Sequence, residues 1–129
     1  MPLVRIDLVR GRSAEEIRRL ADTVQAVLEE VFAAPAHDRY QLITEHDAEH
    51  VIVEDSGLGI PRSRGVVVIE ITHQGRDRAQ KQRLYETLAE RLETSGLVAS
   101  TDLVVSLVEN TKEDWSFGHG RAQFLTGEL

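Results

Sequence analysis

The chain has 129 residues, of which 41% are hydrophobic and 29% are charged, and its formal net charge is −7. That length is sufficient for one domain built around one hydrophobic core. The acidic balance argues against a nucleic-acid-binding protein, because contacts to phosphate need a basic surface. The absence of cysteine excludes disulfides, thiolate nucleophiles and cysteine-ligated metal sites.

No apolar segment approaches the ~20 residues that a membrane-spanning helix needs, and the first residues lack the pattern of a signal peptide. We therefore expect a cytoplasmic protein with no membrane partner and no nucleic-acid partner. Among the five histidines, His46 and His50 form the only close pair. They flank acidic residues of an expected loop, and we interpret them as loop residues, so that no metal site is predicted.

The first part of the chain predicts a strand, a helix and a second strand. Residues 3–9 alternate between apolar and polar side chains, which is typical of a strand with one apolar face. Ser13, followed three residues later by Glu16, indicates a capping box at a helix N-terminus. Apolar residues spaced three and four apart continue to Val31, so this helix should bury one stripe. The second strand is expected at 39–46.

The rest of the chain predicts a second unit of the same kind after an irregular segment. Residues 50–61 contain turn-forming glycine and proline and predict a short hairpin or an excursion. The nearly continuous apolar residues of 65–73 predict a central strand. A second amphipathic helix is expected within 75–96, where a glycine ends it. Residues 102–110 predict the last long strand.

The two β-α-β patterns match each other at a shift of 64 residues. Any two such units have similar apolar periodicity, but matched polar positions favour a duplication. We therefore interpret residues 2–46 and 66–110 as two copies of one unit, followed by an aromatic tail at 111–129. The matched positions are Gly11 and Arg12 with Gly75 and Arg76, Thr23 with Thr87, Asp38 with Asp102, and Glu45 with Glu109.

A pair of β-α-β units predicts an α+β fold within a single domain, residues 1–129. Each crossover should be right-handed and should connect parallel strands. Two units related by a pseudo-twofold axis then form a four-stranded mixed sheet with both helices on one face. The first strands of the two units should run antiparallel, which places Pro2 beside the turn after the third strand. The other face of the sheet needs a cover, and self-association of the chain would supply it.

Pro2 has two interpretations. Proline is tolerated at the first position of a strand, where it need not donate a hydrogen bond. If Met1 is removed, however, the ring nitrogen of Pro2 becomes a free secondary amine. Such an amine acts as a general acid when protonated, or as a base or iminium-forming nucleophile when neutral. If Met1 is retained, this chemistry is impossible.

The turn into the second helix has the residues of an anion site. Arg76 lies where backbone N–H groups and the helix dipole favour an anion, and its guanidinium suits a carboxylate. Gln74 and Arg78 lie two residues to either side. The alternative is a solvent-facing charged turn. Asp38, at the mouth of the second strand, is either a turn-forming residue or a carboxylate that orients water or positions a proton.

The last fifteen residues contain three of the six aromatic side chains. They either pack the tail against a sheet or form an apolar wall beside a substrate carbonyl. An apolar wall lowers the local dielectric and strengthens interactions between charges. The candidate wall residues are Trp115, Phe117, Phe124 and Leu129.

The sequence resembles the tautomerase superfamily, whose members use an amino-terminal proline. The resemblance lies in Pro2, the repeated β-α-β pattern, Asp38 and the Gly-Arg turn. The longer segments "HDRYQ", "VEDSGLGI", "GRSAEEIRRL" and "SLVENTKEDWSFGHGRAQFLTGEL" are similar to the malonate semialdehyde decarboxylase family. This resemblance covers essentially the whole chain.

The resemblance implies a homotrimer without a cofactor that converts malonate semialdehyde, a small anionic 3-oxo acid, to acetaldehyde and carbon dioxide during haloacrylate breakdown. It assigns catalysis to Pro2, Asp38 and Arg76. It assigns substrate binding to the aromatic wall, with Gln74 and Arg78 as further contacts. Gln74 departs from the family, which has an arginine there. Glutamine donates a hydrogen bond to a carboxylate but has no charge. Either Arg78 substitutes for the missing arginine in a rearranged turn, or carboxylate binding is weaker here, or the substrate differs.

Three hypotheses remain open from the sequence. The first is the decarboxylase, acting through an iminium or through electrostatic polarisation. The second, suggested by Gln74, is a tautomerase or hydratase that acts on 2-oxo acids or acetylenic acids. The third is a trimeric interaction protein with no catalytic role, which retention of Met1 would favour.

Overall fold

The structure, a computed structural model, describes residues 2–129. It contains four strands, two long helices and one short helix, with single 3₁₀ turns in three of the connections. The elements are β1 Leu3–Val9, α1 Ala14–Val31, β2 Tyr40–His46, β3 Val67–Gln74, α2 Arg78–Thr94, β4 Leu103–Asn110 and α3 Gln123–Thr126.

The strands form one mixed sheet in the order β2-β1-β3-β4. β1 pairs with β2 and β3 pairs with β4, both in parallel, while the two inner strands β1 and β3 run antiparallel. This is the predicted arrangement of two β-α-β units. The expected fold class is therefore confirmed, and β3 is an inner strand as its apolar composition predicted.

Both long helices begin at capping boxes. Ser13 and Glu16 exchange hydrogen bonds at the start of α1, and Asp77 and Gln80 do the same at α2. These side chains satisfy backbone N–H groups that have no partner inside a helix. The second box makes α2 begin at Arg78, so that Gly75 and Arg76 lie in the turn before it.

One face of the sheet is covered by α1 and α2, and the core lies between these layers. Inward residues of the inner strands, such as Ile6 and Ile69, are fully buried against leucine and valine of the helices. Each fully buried side chain of this size stabilises the fold by roughly 1.5–3 kcal/mol. No helix or strand within residues 2–129 covers the opposite face, and Leu42 and Val108 on it are 50% and 43% exposed.

The segment between β2 and β3 is an excursion and not a hairpin, since it contains only the 3₁₀ turn Ala48–His50. The carboxylate of Asp55 accepts hydrogen bonds from the backbone N–H groups of Gly57 and Gly59, which closes its turn. His46 is bonded to Asp7 on the neighbouring strand, at 2.7 Å. Within residues 2–129 no helix has the length and apolar character to cross a membrane.

Candidate active site

The strand directions bring four chain segments together at one end of the sheet. β1 and β2 are parallel, so both begin at this end, and the antiparallel partner β3 ends there. β4 is parallel to β3 and ends beside it. Residues just before β1 and β2 and just after β3 and β4 are therefore neighbours.

Pro2 lies at this end and is buried. Leu3 pairs with Thr72 of β3 and with Tyr40 of β2. Extending both registers by one residue places Pro2 between His73 and Arg39. Met1, whose removal the catalytic hypothesis requires, lies outside the described residues.

Arg76 is held against the end of α1. Its Nε donates to the carbonyl of Phe32 at 2.9 Å, and its Nη1 donates to the carbonyl of Gln74. Its guanidinium carbon lies 5.3 Å from the centre of the Phe32 ring. Burial lowers the pKa of Arg76, but a guanidinium stays cationic at neutral pH. No hydrogen bond within residues 2–129 uses Nη2, which leaves that nitrogen to bind an anion.

The two polar neighbours of Arg76 in the sequence differ in position. Gln74 ends β3, and its Oε1 is buried without a hydrogen-bond partner in the described part of the chain. Arg78 is exposed in the first turn of α2. The capping box fixes that turn, so the structure contains no rearranged loop that would bring Arg78 into the place of Gln74.

Asp38 is half-buried in the connection before β2. Its backbone N–H donates to the carbonyl of Pro35 at 3.0 Å, which fixes a turn. Its carboxylate accepts no hydrogen bond among residues 2–129. The turn and the free carboxylate are compatible, so both interpretations of Asp38 agree with its position two residues before Tyr40.

The aromatic tail forms a stacked cluster on the open face. Phe117 stacks between Tyr40 and Trp115, with ring centres 5.8 and 5.5 Å apart, and meets Phe124 edge-on at 5.7 Å. Aromatic pairs at these spacings stabilise packing beyond simple burial. Leu129, predicted as part of this wall, is 61% exposed in the single chain.

A cavity of about 430 Å³ lies along this cluster. Its lining is apolar apart from a few polar groups, as is typical of small-molecule sites. The indole N–H of Trp115 donates to Oδ1 of Asn110 at 2.9 Å, which leaves the amide nitrogen of Asn110 as a donor. The lining residues are Leu3, Tyr40, Thr72, Asn110, Asp114, Trp115, Ser116 and Phe117.

Asp114 anchors the tail to the end of β4. Its carboxylate accepts hydrogen bonds from the backbone and the hydroxyl of Thr111, and these bonds lower the pKa of Asp114. The carboxylate therefore stays ionised at neutral pH. Its partners are already local, so we assign Asp114 to holding the wall in place.

His73 is the one buried titratable side chain at this end among the described residues. It is 1% exposed, and both ring nitrogens lack a hydrogen-bond partner within residues 2–129. Its ring lies 5.3 Å from the ring of Phe32, on which Arg76 also lies. Burial lowers the pKa of His73, and the charge of Lys81 lowers it further.

The opposite end of the sheet contains Arg12 and Asp102, which match Arg76 and Asp38 at the predicted shift of 64 residues. Arg12 donates to the carbonyls of Gly65 and Leu97, at 2.8 and 3.0 Å. Asp102 is 4% exposed and accepts hydrogen bonds from the backbone and hydroxyl of Ser63. These contacts agree with a structural role for Arg12 and a turn-forming role for Asp102.

A further groove, of about 440 Å³, lies between α1 and the edge strand β2. Its basic residues include Arg18 and Arg39, and both are paired with Asp22 at 3.3 and 2.7 Å. Arg39 lies next to Pro2 in the strand register, but its guanidinium is already bonded to Asp22 and Gln41. The cavity beside the aromatic wall is therefore the better candidate for a substrate site.

Sequence reasoning found most of the residues that meet at this end. It missed Tyr40, Thr72, Asn110 and His73, which all lie within two residues of a strand end. The strand register brings these residues together at the site. It can be derived from the sequence only when the order of neighbouring strands is known.

Comparison with known families agrees with this geometry. A family model described as "Tautomerase enzyme" matches residues 38–118, and a second model of the same description matches residues 2–60. Probable tautomerase YrdN of Bacillus subtilis (strain 168) is 50% identical over 129 residues, which cover all of both chains. Probable tautomerase YusQ of the same strain is 32% identical over 97% of this chain and 99% of that one.

Two solved structures match nearly the whole chain with a TM-score of 0.94. A malonate semialdehyde decarboxylase, solved in wild-type, mutant and inactivated forms, is 40% identical over 98% of both chains. FG41 malonate semialdehyde decarboxylase inhibited by 3-bromopropiolate is 48% identical over 98% of this chain and 97% of that one. With a family model over more than half its length and relatives that match from end to end, this chain belongs to the tautomerase superfamily of enzymes.

Proposed function

We propose that this protein decarboxylates malonate semialdehyde (3-oxopropanoate) to acetaldehyde and carbon dioxide, with Pro2 as its amino-terminal catalytic residue. The observation that supports this most is that Pro2 and Arg76 lie at the same end of the sheet as an aromatic-walled cavity, which is lined by Leu3, the residue after Pro2. The likeness to two malonate semialdehyde decarboxylases supports the choice of substrate.

The reaction needs an acceptor for an electron pair. The bond between the carboxylate carbon and C2 of the substrate breaks, and its electrons move toward the C3 carbonyl as carbon dioxide leaves. The resulting enol or enamine takes a proton at C2 and gives acetaldehyde. Pro2 assists this either as an ammonium that polarises the carbonyl or as an iminium that water later hydrolyses.

Arg76 binds the substrate carboxylate in this proposal. Two of its guanidinium nitrogens are fixed by the carbonyls of Phe32 and Gln74, so the third is presented in a defined direction. Such positioning aligns the breaking bond with the carbonyl π-system. Gln74 would donate a second, uncharged hydrogen bond, with Arg78 too exposed to contribute directly.

The aromatic wall supplies the apolar surroundings that favour loss of charge. The carboxylate is charged and carbon dioxide is neutral, so a low dielectric favours the product side of the step. Trp115, Phe117 and Phe124 form this wall, and the free amide nitrogen of Asn110 would hydrogen-bond the substrate. We assign Asp38 to orienting the water or proton that completes the reaction.

The test begins with intact mass spectrometry, which should find Met1 removed. The processed protein is then incubated with malonate semialdehyde, and acetaldehyde is followed with a coupled alcohol dehydrogenase. We expect turnover that Pro2→Ala reduces by about 100-fold or more, in line with loss of a general acid or covalent catalyst. Equal rates for the two proteins would contradict the proposal.

A tautomerase or hydratase activity is the second candidate function. Gln74, an uncharged residue in the anion site, and the two probable tautomerases among the relatives favour it. Ketonisation of phenylenolpyruvate, followed by ultraviolet absorbance, measures the tautomerase, and hydration of an acetylenic acid measures the hydratase. A kcat/KM well above that for malonate semialdehyde would make one of these the main activity.

We also propose that the chain assembles as a homotrimer through the open face of the sheet. Leu42, Val108 and Tyr40, which is 40% exposed, lie on that face, and exposed apolar surface of this kind is typical of interfaces. Native mass spectrometry should give three chains per particle. A monomer at micromolar concentration would contradict this proposal without affecting the assignment of Pro2.

A further inference from the structure

We propose that His73 is a positioning residue of the candidate site, a neutral imidazole that accepts a hydrogen bond from the Pro2 ammonium and holds the proton on that nitrogen. This inference rests on the proposed function, since it requires that Met1 be removed. It assigns a task to the one buried imidazole at this end of the sheet.

The first argument is the position of His73 on β3. Leu3 lies opposite Thr72, so the next pair along the antiparallel register is Pro2 and His73. Directly opposed residues of an antiparallel pair point to the same face, with Cβ atoms about 4.5–5.5 Å apart. Both residues are buried, as two neighbours beneath the helical layer should be.

The second argument is that His73 has unsatisfied polar atoms. Neither ring nitrogen has a partner within residues 2–129. Leaving a buried donor or acceptor unpaired costs about 1–3 kcal/mol, and an apolar side chain would avoid that cost. β3 uses isoleucine and valine at its three other inward positions, Val67, Ile69 and Ile71, all fully buried. His73 occupies the fourth inward position and therefore needs a polar partner. The nitrogen of Pro2, which lies opposite His73 in the register, is a suitable one.

The third argument is the charge environment of the imidazole. Lys81 from α2 and Arg76 from the turn are cationic groups that face it, and Glu109 from β4 is the acidic one. The end of α1 contributes the uncharged ring of Phe32. Burial lowers the pKa of His73 most, and the positive charge of Lys81 lowers it further. A neutral imidazole has one nitrogen that accepts a hydrogen bond, as the proposal needs.

The same register gives the charged groups beside Pro2 on its other side. Arg39 lies next to it on β2, and Asp38 is one residue further. Arg39 is already paired with Asp22 at 2.7 Å. His73 is thus the neutral acceptor in a place where the nearby cations Arg76 and Lys81 would otherwise favour loss of the proton from Pro2.

The experiment measures the protonation of Pro2 directly. Processed protein with ¹⁵N-labelled proline is titrated by NMR, without substrate, as wild type and as His73→Leu. We expect the Pro2 pKa to fall by about one unit in His73→Leu, because a hydrogen bond to the charged form is lost. His73→Gln, which keeps an acceptor, should recover most of that shift.

Ile71→Val is the matched control, since it loosens the same strand at the preceding inward position without removing a polar atom. An unchanged Pro2 pKa in His73→Leu, or an equal fall in Ile71→Val, would overturn the proposal. Retention of Met1 in the purified protein would overturn it as well.

A wild-type measurement covers the case in which His73→Leu fails to fold. With ¹⁵N-labelled histidine, the accepting ring nitrogen of His73 should shift as Pro2 loses its proton, and a signal that stays constant through that titration would reject the hydrogen bond. These measurements use no substrate. If these titrations show the expected shifts but the protein has no decarboxylase activity, the proposed function is rejected and the role of His73 still holds.

Discussion

The two ends of the sheet hold similar residues that have different partners. At one end, Arg12 and Asp102 bond to the chain itself, to Gly65 and Leu97 and to Ser63. At the other end, Arg76 also bonds to the chain, to the carbonyls of Phe32 and Gln74. There, however, the carboxylate of Asp38 accepts no hydrogen bond within residues 2–129, and both ring nitrogens of His73 lack a partner. The first arrangement stabilises the fold, and the second leaves polar groups for a ligand.

The comparison teaches how one unit can serve two purposes. Buried polar groups are retained when they are satisfied, by the chain or by something that binds. At the Arg12 end, the loop before β3 supplies carbonyl and hydroxyl groups. At the Pro2 end, nothing within residues 2–129 supplies hydrogen-bond partners for the carboxylate of Asp38 or for the ring nitrogens of His73. The 64-residue duplication stays a prediction, and it would account for the matching residues at the two ends.

The largest expected difference is between the two arginines. Arg76→Met should lower kcat/KM for malonate semialdehyde by about 100-fold, as expected for loss of a preorganised charged donor. Arg12→Met should leave kcat/KM nearly unchanged and lower the free energy of unfolding by about 2 kcal/mol through lost hydrogen bonds. Steady-state kinetics and urea unfolding measure both. Similar kinetic losses in the two variants would mean that the ends do not differ in this way.

The two aspartates should differ in their effect on the free energy of unfolding, with the larger loss at Asp102. Asp102→Ala leaves the backbone N–H of Ser63 without its partner in a buried site, so we expect a loss of about 2–3 kcal/mol. Asp38→Ala should lose less than about 0.5 kcal/mol, as is usual for residues without such partners. Urea unfolding measures both losses. An Asp38→Ala variant as unstable as Asp102→Ala would contradict the difference between the two ends.

Gln74 offers a gain-of-function test. Its repeat-related residue is Arg10, which is paired with Asp47 at 3.2 Å on an exposed surface. Gln74→Arg should lower KM for malonate semialdehyde about fivefold by adding a charge-assisted hydrogen bond to the carboxylate. Arg10→Gln is the matched control and should leave KM unchanged. A KM that rises in Gln74→Arg would show that position 74 does not face the substrate.

The smallest effect concerns the pH dependence of stability. Because the pKa of His73 is lower in the folded chain than its usual value of about 6.5, the unfolded chain binds the proton more tightly. This contribution to stability is fully present above pH 6.5 and is lost as the pH falls below that value. Between pH 7 and 5 the wild type should lose about 1 kcal/mol more than His73→Leu, measured by urea unfolding. Parallel pH profiles would contradict the lowered pKa.

Most of the fold could be predicted from local patterns. The alternation in residues 3–9 and the capping box at Ser13 depend on neighbours in the sequence, and the structure confirms both. The sequence predicted the start of α2 less accurately than that of α1. Asp77 and Gln80 cap α2 inside a charged segment whose whole length is compatible with a helix.

The site was harder to predict because its details are tertiary. Nothing in the sequence near Arg76 indicates that Phe32, which is distant in the chain, accepts its hydrogen bond. His73 is the last residue but one of β3, and the sequence around it does not indicate that its side chain is buried. Tyr40 belongs to the wall because Phe117 of the tail stacks on it, a contact that the sequence does not indicate.

The single tryptophan of the chain gives this site an optical signal of its own. Trp115 is half-buried, stacked on Phe117 and bonded through its indole N–H to Asn110 at the cavity. A molecule that enters the cavity replaces water beside this indole, so the fluorescence of the unlabelled protein should report occupancy. Stopped-flow emission could then time binding separately from bond cleavage, even with acids that bind and do not react.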